Sequence, residues 1–188
     1  MQCVRCKKKE SLVFKLTNQR LCKSCLSDVL VFRIKKEIRS YNFLDDDLSK
    51  FSMKAIKRKE LIKIYSTNDF VSLANDINLP FYLEFLDSVF IYYLFYDEKR
   101  MFELDKLFNY SLPLKFVSLE ELSYFNLNVD FDIQYNLLKN IISVDYEKLK
   151  EVFHNLLDFF QDYPGNNESL MKSIVQLKEF DLLKNPQQ

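Results

Sequence analysis

Cys3, Cys6, Cys22 and Cys25 follow the pattern Cys-x2-Cys-x15-Cys-x2-Cys and account for every cysteine in this 188-residue chain. Each Cys-x2-Cys pair can turn two thiolates toward one point, and two such knuckles complete a tetrahedral shell around a zinc ion. A closed shell of four thiolates leaves no coordination position for substrate, so the chemistry this pattern implies is structural rather than catalytic. A redox pair or a disulfide framework is the alternative, and a reducing compartment, cytoplasm or nucleus, favours the metal. Between the pairs, SLVFKL (11–16), TNQ (17–19) and RLC read as strand, polar turn and strand. That order fits either a zinc ribbon or a treble clef.

What the knot must position comes next in the chain. LSDVLVFRIKKEIRSYNFL follows Cys25, with Ser27 or Asp28 as cap and Leu30, Ile34, Ile38 and Tyr41 at helical spacing. The opposite face carries Arg33, Lys36 and Arg39, with Lys35 nearby, and the finger itself carries Lys7, Lys8 and Lys9. A basic helix held against a basic finger is an RNA clamp in outline. The competing reading is a core helix with a solvated back, the finger cations merely offsetting the charge of a tetrathiolate site. KAIKRKELIKIY (54–65) adds a second basic stretch.

The formal net charge of zero hides a gradient. Residues 1–63 hold 17 Lys and Arg against 7 Asp and Glu, and the rest of the chain holds 10 against 20. The basic head suits a polyanion, and the acidic remainder suits a protein partner or a solvated face. Gly165 is the single glycine. A glycine-rich phosphate cradle therefore cannot be built here, and the scarcity of positive-φ turn residues favours helices. The longest apolar run, SVFIYYLFY (88–96), is too short to span a bilayer, and the N-terminus does not read as a signal peptide. No membrane association and a cytoplasmic location are the expectation.

The fold class expected is mainly α (α+β): a zinc finger over 1–27, a basic helical linker region over 28–65, and an acidic helical domain over 66–188. Within the last, 69–102 reads as apolar helix interrupted at Pro80, although 89–96 suits a buried strand equally well. A loop at Pro113 and a short helix holding Glu120 and Glu121 follow, then a helix from 134 to 161, a break at DYPGNNES, and a final amphipathic helix from Ser169. Neighbouring Glu120 and Glu121 cannot face each other on a helix, and His154 has no ligand-type neighbour in sequence, so no catalytic residues are assigned.

Residues 3–44, from CVRC to YNFL, resemble the finger and following helix of the tRNA 2-thiolation family, and among these the cytoplasmic tRNA 2-thiolation protein 2 family. LPLKFVSLEELSYFNL (112–127) and FFQDYPGNNESLMKSIVQL (159–177) are similar to two later segments of that family, in the same order. The family's PP-loop ATP sequence is missing. The resemblance implies a degenerate PP-loop-type domain over 66–188 and a noncatalytic tRNA-binding scaffold in the complex that 2-thiolates the wobble uridine of cytosolic tRNAs. It further implies a heterodimer with the catalytic subunit, tRNA as partner, and a ubiquitin-like sulfur carrier acting through the complex. On this reading Cys3, Cys6, Cys22 and Cys25 hold structural Zn2+, while Lys7, Lys8, Lys9, Arg33, Lys36 and Arg39 contact tRNA. The alternative is a zinc-ribbon protein of an unrelated pathway that binds RNA, a polymerase or the ribosome.

Overall fold

The structure is a computed structural model, and it describes residues 2–9, 14–16, 19–40, 66–76, 81–108 and 112–162. The basic stretch 54–65, the break at DYPGNNES and the helix expected from Ser169 lie outside the described residues. Two compact units are present. The first comprises Met1–Pro80, Ser111–Pro113 and Glu120–Asn128; the second comprises Phe81–Tyr110, Leu114–Leu119 and Val129–Gln188. The described residues are mainly helical, as composition suggests.

In the first unit a short antiparallel hairpin, β1 (Phe14–Leu16) and β2 (Gln19–Leu21), pairs Phe14 with Leu21 and Leu16 with Gln19. The chain then enters α1 (Lys23–Ser40). Leu26, Leu30, Ile34 and Ile38 fall one turn apart along α1 and are completely buried, each contributing about 2 kcal/mol of hydrophobic burial. Helix α2 (Phe70–Asp76) packs on α1 and buries Phe70, Leu73 and Ala74. Asp69 caps α2 by accepting the Ser72 N–H at 2.8 Å.

The expected cap of α1 is corrected by the structure. The helix begins at Lys23, four residues before Ser27, and the Cys22 carbonyl accepts its first bond from the Leu26 N–H at 2.9 Å. Cys22 therefore stands at the N-cap, where the Cys25 backbone favours its thiolate. Ser27, released from capping, instead accepts the Phe70 N–H at 3.1 Å and ties α2 to α1.

The second unit is built around α3 (Leu83–Tyr96), which packs on α7 (Tyr146–Asp162). A 3-10 turn (Glu98–Arg100) and α4 (Glu103–Phe108) follow α3, and α6 (Phe131–Leu138) precedes α7. A loop with a turn at Pro113 leads to α5 (Leu119–Tyr124), the short helix expected from the sequence, of which all but Leu119 belongs to the first unit.

Two sequence expectations change in the second unit. Residues 89–96 are helical rather than strand, because they complete α3, which is buried on every side for its first eight residues and so shows no periodicity. The continuous helix expected over 134–161 is two helices. Asp145 accepts the Lys148 N–H at 3.0 Å and its carbonyl accepts the Leu149 N–H, starting α7 afresh. Asp130 caps α6 in the same way, through the Asp132 N–H at 2.9 Å. Phe85, Phe131 and Phe153 form a core chain with ring centroids 5.7 and 5.1 Å apart. Beside it, Glu103 accepts from Arg100 at 2.6 Å, the Ser143 N–H and the Tyr93 hydroxyl. Burial opposes ionisation of Glu103, but these donors outweigh it and hold the carboxyl below its usual range.

Candidate metal centre

The first knuckle is a tight loop closed by its own backbone. The Cys3 carbonyl accepts the Lys7 N–H at 3.0 Å, the Cys3 N–H donates to the Lys8 carbonyl at 3.0 Å, and Gln2 pairs with Lys9 as an isolated bridge. Closing the loop this sharply places Lys7 at φ 62°, a left-handed conformation that glycine adopts without strain. The Val4 N–H donates to the Arg20 carbonyl at 2.9 Å, which binds the knuckle to β2. The second pair comes from the N-cap and first turn of α1.

The ligand atoms of Cys3, Cys6, Cys22 and Cys25 all lie within 4.8 Å of one another, and the Cys6 and Cys22 sulfurs are 3.6 Å apart. A tetrahedral site with metal–sulfur bonds of about 2.3 Å has edges of about 3.8 Å, so the donor set fits a metal ion. All four are free thiols, which sets aside the disulfide alternative in this structure. Cys3, Cys22 and Cys25 are buried, and Cys6 is the most exposed of the four.

The sulfurs differ electrostatically. Backbone N–H groups, first that of Cys6 and then that of Cys22, lower the Cys3 thiol to about 6. At Cys22 the bond from the Cys25 N–H also favours the thiolate, but burial and the neighbouring sulfurs outweigh it and leave the group raised. Burial and the three other sulfurs push Cys25 up to about 12. Four thiolates this close repel one another, and a dication removes that repulsion.

The basic residues separate into three groups. Lys7, Lys8 and Lys9 are exposed around the knuckle, Arg20 is exposed on β2, and Lys36 is exposed on α1. None of these five forms an ion pair among the described residues. Arg5 donates to the Cys25 carbonyl at 3.3 Å and lies 3.7 Å from Asp28, so it braces the knuckle against α1. Arg33 is turned inward: its guanidinium donates to Glu121 at 3.0 and 3.3 Å, and the Glu121 side chain is only 2% exposed. The side chain of Arg39 lies outside the described residues.

Arg33 thus neutralises a buried carboxylate, a role hidden from sequence because its partner lies 88 residues away. Replacing Arg33 with Ala removes the guanidinium from a buried carboxylate and should cost about 3 kcal/mol of stability, read as a lower urea midpoint. The paired change Arg33→Met with Glu121→Leu should recover most of the loss. Glu120 and Glu121 behave as helix geometry requires, one exposed and one buried, and His154 is exposed on α7.

No family model, curated protein or solved structure matches this chain.

Proposed function

We propose that this protein is a noncatalytic RNA-binding scaffold whose finger is held by a structural zinc ion. The observation that carries the reading is the four-cysteine cluster at the first turn of α1, with Lys7, Lys8, Lys9, Arg20 and Lys36 exposed and forming no ion pair among the described residues. Knuckle, hairpin and helix-borne second pair are the arrangement of a treble clef rather than a ribbon. Zinc suits it because the ion accepts tetrahedral thiolate sites without redox change. Four sulfurs saturate the ion, so its contribution is mechanical: it fixes the direction of α1 relative to the knuckle and keeps the cations of both on one scaffold.

The RNA-contacting set in this proposal is Lys7, Lys8, Lys9 and Lys36, joined by Arg20. Arg33 drops out because its charge is already spent on Glu121. The narrower assignment, tRNA 2-thiolation beside a catalytic PP-loop subunit in the cytoplasm, rests on the three ordered segments of resemblance. Its test is copurification of the chain with its partners: recovery of a PP-loop tRNA thiolase supports it, and recovery of only other partners removes it.

RNA binding is tested more directly. Changing Lys7, Lys8, Lys9 and Lys36 together to Gln should weaken tRNA binding by roughly tenfold or more at moderate salt. It should also lower the slope of log K against log salt by up to about 3, with bound zinc unchanged. Unchanged tRNA affinity would return these lysines to the solvated surface.

A further inference from the structure

Phe32 lies in the middle of α1 with 66% of its surface exposed, on a helix where Leu26, Leu30, Val31, Ile34 and Ile38 are buried and Val29 is half-buried. It does not stand alone. Asp28, Phe32 and Lys36 are spaced i, i+4 and i+8, so they form one exposed stripe along α1. At its head, Arg5 of the knuckle lies 3.7 Å from Asp28 and offsets the only acidic charge in the stripe. The stripe therefore begins at the cysteine cluster and ends at an exposed lysine that forms no ion pair among the described residues, with an exposed aromatic ring between.

From this we infer that Phe32 is a stacking platform for an unpaired RNA base, with Lys36 and the finger lysines taking the flanking phosphates. The inference rests on the RNA-binding reading above and adds to it the form of RNA that is recognised. A bare phenylalanine is apolar on both ring faces and offers nothing to a phosphate, so cations alone do not account for it. Stacked bases and a cationic track are together what single-stranded nucleic acid requires, because every base has a π-face while a paired base is already stacked on its neighbours. Charge complementarity selects RNA over a protein groove here: the stripe's one carboxylate is offset by Arg5, and the exposed lysines of the finger and α1 have no carboxylate partner among the described residues.

The experiment uses the full zinc-loaded chain with two probes, a 12-nucleotide oligouridylate and an RNA duplex with a similar number of phosphates. Phe32→Ala should weaken oligouridylate binding about tenfold and leave duplex binding and both salt slopes nearly unchanged. Phe32→Leu, which keeps an apolar side chain without a ring, should lose as much as Phe32→Ala. Phe32→Trp should bind like the parent. Because the chain has no tryptophan, the indole of that variant is the only one present, and oligouridylate should quench its fluorescence. Oligouridylate affinity unaffected by Phe32→Ala, while the four-lysine variant still loses RNA, would overturn the stacking role and leave the RNA reading intact. Failure of the parent chain to bind either probe would instead overturn the RNA reading itself. Loss of a copurifying protein from Phe32→Ala with oligouridylate affinity unchanged would reassign Phe32 to a protein contact.

Discussion

Replacing Cys25 with Ser should reduce zinc affinity by on the order of 100-fold or more and loosen the start of α1. Zinc content after dialysis against a competing chelator and far-UV circular dichroism would measure both. The magnitude follows from sharing an apparent zinc-binding free energy of about 10–16 kcal/mol among four thiolates, about 3 kcal/mol for each. Cys25 is the informative ligand because it is buried and sits inside the first turn of α1, so its removal acts on metal and helix together. Cys22→Ser makes a sharper contrast. Serine can still cap the helix, so this variant should lose metal comparably while keeping more of α1. Equal helix loss in the two variants would show that the sulfur cap is unimportant; undiminished zinc retention in either would remove that cysteine from the site.

The second large effect is expected in α3, within the second unit. Asp87 is fully buried, and among the described residues neither of its carboxylate oxygens has a hydrogen-bond partner. Burial first, and then the charge of Glu84 one turn earlier, push its carboxyl from the ordinary 3.8 to about 9. The Glu84 carboxylate itself accepts the Leu119 N–H at 2.8 Å. Between those two pKa values the folded chain holds a proton that the unfolded chain has released. Stability contributed by the protonated group is thus present in full below about pH 4 and falls by about 1.4 kcal/mol per pH unit up to about pH 9. From pH 5 to pH 8 the second unit should lose about 4 kcal/mol.

Asp87→Asn should abolish most of that slope, and Asp87→Leu should also raise stability at pH 8 by removing a buried polar group. Urea midpoints at pH 5, 6, 7 and 8 provide the measurement. Cys3, lowered to about 6, contributes a slope of opposite sign above pH 6 that parent and variant share, so the quantity to compare is the difference between them. A parent profile parallel to that of Asp87→Asn would contradict the buried neutral acid. Glu103 does not obscure the comparison. Its carboxyl is lowered on folding, so its contribution is lost only as pH falls below the ordinary glutamate range, outside the window tested.

The four-cysteine cluster and the neighbouring helix were legible because both rest on local spacing. Two residues between cysteines bring their sulfurs together in any compact turn, and Leu30, Ile34 and Ile38 mark a helix face over two turns. The amphipathic pattern of α7, with Leu149, Val152, Phe153 and Leu156 buried, was legible for the same reason. Where α1 begins was not legible. Sequence rules look for a hydroxyl or carboxylate cap and found Ser27 and Asp28, whereas the helix starts at Lys23 with Cys22 at the N-cap position. Helix α3 defeated periodicity because it is buried on all sides at its start, and the helix expected over 134–161 was split by an aspartate cap at 145 that a run of apolar residues concealed.

The sequence by itself determined the donor set, the direction of the charge gradient and the exclusion of a glycine-built phosphate loop, because each depends on residue identity or short spacing. Which cations remain available to a partner was decided only in the tertiary structure. Arg33 and Lys36 are three residues apart and chemically similar, yet one is paired with Glu121 and the other faces solvent. The difference lies in a buried carboxylate brought in from 88 residues along the chain, whose negative charge favours the inward position of Arg33.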